Sequence, residues 1–505
     1  MGRGQQDDAR MNLAIAVTAI RQGAKCVNHV GVTSLIKETD PVSGQERVRG
    51  AKVKDQLTGK EWTVRAKGVV NATGPFTDSI RKMDNQDVQT ICVPSQGVHI
   101  VLPDYYSPVS TGLLDPATKD GRVIFFLPWQ NATIAGTTDS QTEVTHSPSP
   151  TEKEVQFILE EVRHYLSDEI TVRRGDVLSA WAGLRPLVRD PNQANTAALA
   201  RNHIIEVSQS GLVTIAGGKW TTYRHMAEEA VDQVVQTASL QPSRPCVTAG
   251  LRLEGGHNWS PLLYIRLVQD FGLEVQVAQH LAQHYGDRAT SVAKLASLTG
   301  KRWPIVGKRL HPDFPFLEAE VLYAMKEYAC TAVDVIGRRV RLGFLNTYAA
   351  EESLPRIVEI MASVLKWDSK EQERQLNNAK KFLEVEMGTT ARQRAVEETP
   401  LNLNQQEIEM AKKRFAILDK NRQGFITIND LRTHFKDRGQ KIDERLLHEI
   451  LNEVDLNKNG EVDLMEFLQL WSGLKHGTVS HSRFAKYVQE LDVQSPSALR
   501  SGGGL

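Results

Sequence analysis

Two stretches of this 505-residue chain place residue types at spacings that do chemistry. The first is Asp455-Leu-Asn457-Lys-Asn459-Gly460-Glu461-Val462-Asp463-Leu-Met-Glu466. A hard cation such as Ca²⁺ takes about six to eight oxygens in a flexible cage. Asp455, Asn457 and Asn459 offer side-chain oxygens at the first, third and fifth loop positions, and Gly460 permits the sharp bend. Glu461 offers its carbonyl, Asp463 takes the position that often works through water, and Glu466 closes the cage with both oxygens. A related loop lies upstream, Asp419-Lys-Asn421-Arg-Gln423-Gly424-Phe425-Ile426-Thr427-Ile-Asn-Asp430. The spacing predicts two helix–loop–helix units packed face to face, with Ile426 opposite Val462. The upstream loop has fewer anions, and Asp430 is one methylene shorter than a closing Glu, so weak Ca²⁺ binding or none is expected there. A plain Asp/Asn/Gly surface turn is the competing reading. Agreement at so many positions favours the cation at Asp455–Glu466 and the plain turn at Asp419–Asp430.

The second stretch is Gly217-Gly218-Lys219-Trp220-Thr221-Thr222-Tyr223-Arg224. Two glycines after a strand let backbone approach a ligand closely, and the helix that follows begins with free N–H groups that favour negative charge. Lys219 adds a point charge. Alone, this stretch is also what an ordinary turn before a helix looks like.

The elements that position these groups follow from composition and periodicity. Lys plus Arg number 61 and Asp plus Glu 61, a balance that argues against a cationic nucleic-acid sleeve or a polybasic membrane anchor. With 40% hydrophobic and 24% charged residues the chain is globular in composition. Cys26, Cys92, Cys246 and Cys330 lie far apart without C-x-x-C, which fits a reduced, intracellular protein rather than a disulfide scaffold or zinc site. No run of about 18 apolar residues exists, and the opening Met1-Gly-Arg-Gly has no signal- or transit-peptide character. Leu13, Val17 and Ile20 predict a helix started by Asp7 or Asp8 and ended at Gly23, followed by a strand over Val27–Ile36, a hairpin of Arg47–Lys54 with Glu61–Lys67, and a short strand into Asn71. A β-rich stretch begins near Ser95, with strands at Val98–Leu102, Arg122–Leu127 and Ala132–Gly136. Thr151 and Glu154 form a capping pair for a helix, and strands follow at Val177–Gly183, His203–Val207 and Leu212–Ala216. Beyond the Gln241-Pro-Ser-Arg-Pro linker the pattern is almost wholly helical, including Leu317–Tyr328, Leu354–Leu365 and Glu371–Val385.

Asn71-Ala72-Thr73-Gly74-Pro, Gly97-Val-His99-Ile-Val, Phe126-Leu-Pro-Trp129 with Thr133-Ile-Ala-Gly-Thr-Thr-Asp139, Gly183-Leu-Arg185-Pro-Leu and the Gly217-Gly218-Lys219 stretch occur in that order. Together they resemble the FAD-dependent glycerol-3-phosphate dehydrogenase family, and the appended loop pair, read as EF-hands, is similar to its mitochondrial, calcium-responsive animal branch. The resemblance implies a mixed α/β and α+β fold: a partial FAD-binding region of the glutathione-reductase type over 1–75, a β-rich substrate domain over 76–240, an all-helical domain over 241–396, an EF-hand pair over 397–475 and a tail over 476–505.

The resemblance further implies oxidation of sn-glycerol 3-phosphate to dihydroxyacetone phosphate, with hydride passing to FAD and electrons to a quinone at a membrane surface. It implies a mitochondrial location on the outer face of the inner membrane. A homodimer is left open, and no nucleic acid is involved. A dianionic substrate needs cations and a base near its C2 hydroxyl. Arg185, Lys219 and Arg201 are the expected cations and His99 the expected base or hydroxyl partner. Asn71, Ala72, Thr73, Gly74, Gly217, Gly218, Thr221 and Thr222 are the expected flavin contacts. Against this, a histidine on an apolar strand is often a core residue, and Arg185 could simply tie a strand end to a carboxylate. The family's first βαβ unit, with G-x-G-x-x-G and an acid about twenty residues later, finds no counterpart here. The expectation is an N-terminally shortened form that holds FAD poorly or not at all. A catalytically silent calcium-binding protein is the alternative.

Overall fold

The computed structural model describes residues 6–41, 44–108, 110–115, 123–166, 172, 174–189, 202–389, 401, 403–419, 422–437, 444–456, 460–475 and 484. Helix α1 (Asp8–Arg21) starts at Asp7, whose carboxylate accepts the Arg10 backbone N–H at 2.9 Å. It leads into an antiparallel meander of β1 (Val30–Thr39), β2 (Glu46–Asp55) and β3 (Glu61–Arg65). The expected strand over Val27–Ile36 starts later because Asn28 and His29 are used elsewhere. Asn28 Nδ2 donates to the Tyr328 carbonyl at 2.7 Å, His29 meets Asp334 at 3.1 Å, and His29 has a φ of 54°, which no strand accommodates. Strand β4 (Val69–Asn71) and helix α2 (Thr77–Asp84) follow.

Strands β5 (Ser95–Pro103), β6 (Leu113–Asp115), β7 (Ile124–Trp129), β8 (Ala132–Gly136) and β9 (Ser140–Gln141), with β10 (Ser179–Arg185), build an antiparallel sheet in the order β10-β5-β8-β7-β6, with β9 also on β5. Helix α3 (Glu152–Tyr165), carrying the expected Thr151/Glu154 capping box, covers one face. Val98, Ile100 and Leu102 of β5 bury completely against Val155, Ile158 and Leu159 of α3. At about 1.5–3 kcal/mol for each large apolar side chain, this layer holds β5 rigidly.

Strands β11 (His203–Val207) and β12 (Leu212–Gly217) are antiparallel, and β12 also pairs in parallel with β4, Thr214 opposite Asn71. β4 is an edge strand with Val70 40% exposed. A paired crossing joins the two sheets: the Val93 N–H donates to Leu187 O at 2.8 Å and the Arg189 N–H to Ile91 O at 2.9 Å. Helix α4 (Tyr223–Thr237) leaves the end of β12.

The helical part comprises α5 (Leu263–Phe271), α6 (Val275–Tyr285), α7 (Ala289–Ala293), α8 (Glu318–Lys326), α9 (Leu342–Leu345), α10 (Thr347–Leu365) and α11 (Ser369–Val385), around a core that includes Ile336, Leu354 and Met361. α10 begins earlier than the expected Leu354 because Asn346 caps it, accepting from the Tyr348 and Ala349 N–H groups, and Pro355 lies inside it. This part is tied to α1 by Arg10–Glu327 at 2.8 Å and Arg341–Asp8 at 2.7 Å, and to β10 by the Ser179 hydroxyl donating to Gly343 O at 2.9 Å. Among the described residues no helix is long and apolar enough to cross a membrane.

Helices α12 (Gln405–Leu418), α13 (Ile428–Asp437), α14 (Glu444–Val454) and α15 (Leu464–Lys475) flank the short strands β13 (Phe425–Thr427) and β14 (Glu461–Asp463). These strands are antiparallel with Ile426 opposite Val462, both fully buried, as the loop spacing requires.

Candidate active site and calcium loops

Strands β5 and β10 pair so that Trp181 faces His99, Gly183 faces Gly97 and Arg185 faces Ser95. Directly opposed residues, and residues two apart, share a face of an antiparallel sheet. One face of this ribbon therefore carries two rings at one end, an arginine and a hydroxyl at the other, and two glycines between. A methyl on Gly97 would lie 2.5 Å from Arg185 Nη2, so the guanidinium folds over that glycine; a methyl on Gly183 would meet nothing within 4 Å. The result is an open floor at Gly183, with the Arg185 guanidinium lying over Gly97. The His99 and Arg185 pairs are four residues apart, about 13 Å along the strands, and the arginine reaches back toward the histidine across Gly97.

Arg185 is held in place. Its Nη1 donates to Asp139 at 3.0 Å, and its Nη2 donates to Thr137 Oγ1 at 3.0 Å and to Thr138 O at 3.1 Å. Ser95 Oγ also hydrogen-bonds Asp139. The Arg185 side chain is still 32% exposed. The ion pair to Asp139 would serve an arginine that only ties off a strand end; the open surface at Gly183 beside it is not needed for that.

His99 stacks on Trp181 at 5.7 Å and 15° and lies 5.7 Å from the Phe125 ring, while Gly136 opposite gives its ring room: a Cβ there would come within 2.7 Å of the imidazole. Burial among these rings, and then the positive charge of Arg185, push its pKa down to about 4. At neutral pH the ring is uncharged and able to accept a proton.

The second group lies where β4 and β12 end side by side. In open α/β sheets this carboxyl edge is where ligands bind. Asn71 is buried, donating to Thr77 O at 3.1 Å and accepting from the Thr73 hydroxyl at 2.8 Å, so it shapes the turn through Ala72 and Thr73 to Gly74. Gly217 and Gly218 have φ of 76° and 81°, a left-handed conformation that only glycine adopts without strain. Lys219, exposed, precedes the short turn of Trp220, Thr221 and Thr222 that opens α4. The two groups adjoin: a Cβ on Gly217 would touch Val188 at 2.6 Å, just past Arg185, and the Cys92 thiol is 3.9 Å from Gly74 O. The consecutive left-handed glycines, the two loop ends and the two helix starts at one edge match what a flavin ring and its neighbouring chain could rest on. Of the cations expected from the sequence, Arg185 reaches toward His99, Lys219 stands at the edge where β4 and β12 end, and Arg201 lies outside the described residues.

Asp139, Thr137, Ser95 and Trp181 were not singled out by sequence reasoning. Thr137 and Asp139 stand in a recognisable motif, but their partner Arg185 comes from a distant strand, and only the β5–β10 register reveals the pairing.

In the downstream calcium loop the Asp455 and Glu466 side chains are buried, each 1% exposed as a residue. Asp455 accepts the Gly460 N–H at 2.9 Å and Glu466 the Asp463 N–H at 3.0 Å. Glu461 lies in β14 and Asp463 ends it; Asn457 and Asn459 lie outside the described residues. Two inward carboxylates, a bend at Gly460 with φ 81° and a wholly oxygen donor set suit Ca²⁺. In the upstream loop Asp430 is occupied locally, accepting from the Thr427 N–H at 2.9 Å and hydroxyl at 2.7 Å.

The fold and the family models it matches define a flavin-dependent oxidoreductase. Residues 1–224 match the family model "FAD dependent oxidoreductase", residues 246–372 the "C-terminal domain of alpha-glycerophosphate oxidase" and residues 408–472 the "EF-hand domain pair". The chain is 61% identical over 503 residues to the "Probable glycerol-3-phosphate dehydrogenase, mitochondrial" of Caenorhabditis elegans, covering 99% of this chain and 69% of that protein. It is 59% identical over 508 residues to the mitochondrial glycerol-3-phosphate dehydrogenase of Bos taurus, covering 99% of this chain and 70% of that protein. The glycerol-3-phosphate dehydrogenase of Bacillus halodurans, solved as a complex with FAD, superposes with a TM-score of 0.63 at 29% identity, over 75% of this chain and 73% of that one. The chain belongs to the glycerol-3-phosphate dehydrogenase family.

Proposed function

We propose that this protein oxidises sn-glycerol 3-phosphate to dihydroxyacetone phosphate and passes the electrons to a quinone at a membrane surface, under modulation by Ca²⁺. The observation that carries the reading is the open floor at Gly183 between an uncharged, half-buried histidine and a fixed arginine that lies over Gly97. Arg185, braced by Asp139 and Thr137, takes the phosphate dianion through charge-assisted hydrogen bonds. Lys219 and Arg201 supply further positive charge. A ring nitrogen of His99 accepts the proton of the C2 hydroxyl, and the aromatic wall of Trp181 and Phe125 keeps that proton transfer away from bulk water. Bound at the edge formed by Asn71–Gly74, Gly217, Gly218, Thr221 and Thr222, FAD would supply the hydride acceptor. The mitochondrial names of the relatives support a mitochondrial site of action for this chain. The division at 241–396 and 397–475 is part of the same reading, the helical part bracing β10 and the EF-hand pair carrying the metal.

The test is the absorption spectrum of the purified protein in the flavin bands, followed by dye reduction with glycerol 3-phosphate and with glycerol, with and without Ca²⁺. Flavin absorbance and reduction only by the phosphate ester are expected. Absence of flavin after supplementation with FAD, or equal rates with glycerol, overturns the proposal.

A further inference from the structure

One contact joins the calcium module to the body of the protein at a point of mechanical consequence. Leu456 is the second residue of the downstream loop, between the metal-ligand positions Asp455 and Asn457. Its side chain fills a notch at Gly175: a methyl on that glycine would lie 2.6 Å from Leu456 Cδ2 and 3.7 Å from its Cα and Cβ. Gly175 is buried in the short helical turn Arg174–Asp176. That turn leads directly into β10. The Val177 N–H donates to Arg174 O at 3.2 Å, and the Leu178 N–H donates to Val101 O of β5 at 2.8 Å. Arg174 is anchored by Glu152 at 3.0 Å, and Asp176 accepts from the Tyr106 hydroxyl at 2.9 Å. The notch is thus a rigid socket at the start of the strand that ends at Arg185.

We propose that the Gly175 notch is the docking surface through which the calcium loop acts on the substrate strand. This rests on the calcium reading given above. Leu456 cannot move independently of Asp455, so fixing the loop around a cation fixes the wedge. An apolar side chain seated against a glycine must be shaped to within a few tenths of an ångström, because packed contacts fall off steeply with distance. A loaded loop seats Leu456; an empty, looser loop seats it less well. The coupling is reciprocal: whatever Ca²⁺ does to the socket, loss of the socket does to Ca²⁺ affinity by the same factor. A coupling of on the order of fivefold is expected, at the low end of the usual range because one side chain carries it.

The experiment is hydrogen exchange and calorimetric Ca²⁺ titration on the full chain, for the wild type, Leu456→Ala, Gly175→Ala and the double variant. In the wild type, Ca²⁺ should slow exchange both within the loop, at Gly460 and Asp463, and in the socket, at Val177 and Leu178. In Leu456→Ala the loop should still be protected by Ca²⁺, which reports that the module is folded and loaded, while the socket no longer responds and the Kd rises about fivefold. Gly175→Ala should also uncouple the socket, since its methyl displaces the leucine, and should provide the same test should Leu456→Ala not fold. In the double variant the two Kd effects should fail to add, because both remove one contact. Protection of Gly460 without any response at Val177 and Leu178, or a response that survives in both single variants, overturns the docking proposal while leaving the calcium site standing. No heat of Ca²⁺ binding in the wild type overturns both.

Discussion

Replacing Arg185 with Met removes the guanidinium but keeps a long side chain beside Gly97. A charge-assisted hydrogen bond to a buried partner contributes about 1.5–3 kcal/mol. Arg185 is 32% exposed and shares its Nη1 with Asp139, so solvent and the carboxylate screen it and the lower half of that range applies. At about 1.4 kcal/mol per tenfold, the expected loss in kcat/KM for glycerol 3-phosphate is roughly 10- to 40-fold, mostly through KM. The same change removes one of the two causes that hold the His99 pKa near 4, so the acid limb of the pH–rate profile should move upward. Steady-state dye reduction across pH 4–8 reads both effects, and Arg185→Lys should recover part of the affinity but not the forked geometry. A KM within about twofold of the wild type, with an unmoved acid limb, would refute a phosphate at this arginine.

Gly97→Ala should push Arg185 aside, since the added methyl lies 2.5 Å from Nη2, and raise KM several-fold; Gly183→Ala, whose methyl meets nothing within 4 Å, should raise KM by occupying the floor while leaving the melting temperature unchanged. His99 titrates at 6.5 when unperturbed and at about 4 here. The unfolded chain therefore takes up a proton that the native protein refuses between those values, and stability should fall by up to about 3 kcal/mol as pH drops from 6.5 to 4. Denaturant titrations should show a steeper fall in the wild type than in His99→Phe, the remaining slope in the variant coming from other groups such as His284, whose pKa burial also lowers. Glu466→Gln keeps the loop's shape but removes a buried anion, and calorimetry should show Ca²⁺ affinity weakened about tenfold or more, whereas Asp430→Asn should change it little.

The local elements were legible because their signals are local. A capping pair, an i, i+4, i+7 stripe, two glycines after a β-branched run and a loop with oxygen donors at fixed positions each act within a few residues, so Thr151–Glu154, Leu13–Ile20, Gly217–Gly218 and Asp455–Glu466 could be read directly. Boundaries failed where a distant group intervened, as when Tyr328 and Asp334 claimed Asn28 and His29 and delayed β1.

The sequence by itself determined the inventory: which side chains can carry charge, accept a proton or bind a hard cation, and in what order they occur. Only the tertiary structure decided which of them meet. That His99 and Arg185 share a face across two glycines depends on the β5–β10 register, and that Asp139 braces Arg185 and Leu456 reaches Gly175 depends on packing between segments far apart in the chain. Such contacts form only once loop closure has been offset by burial elsewhere, so no short window of residues encodes them.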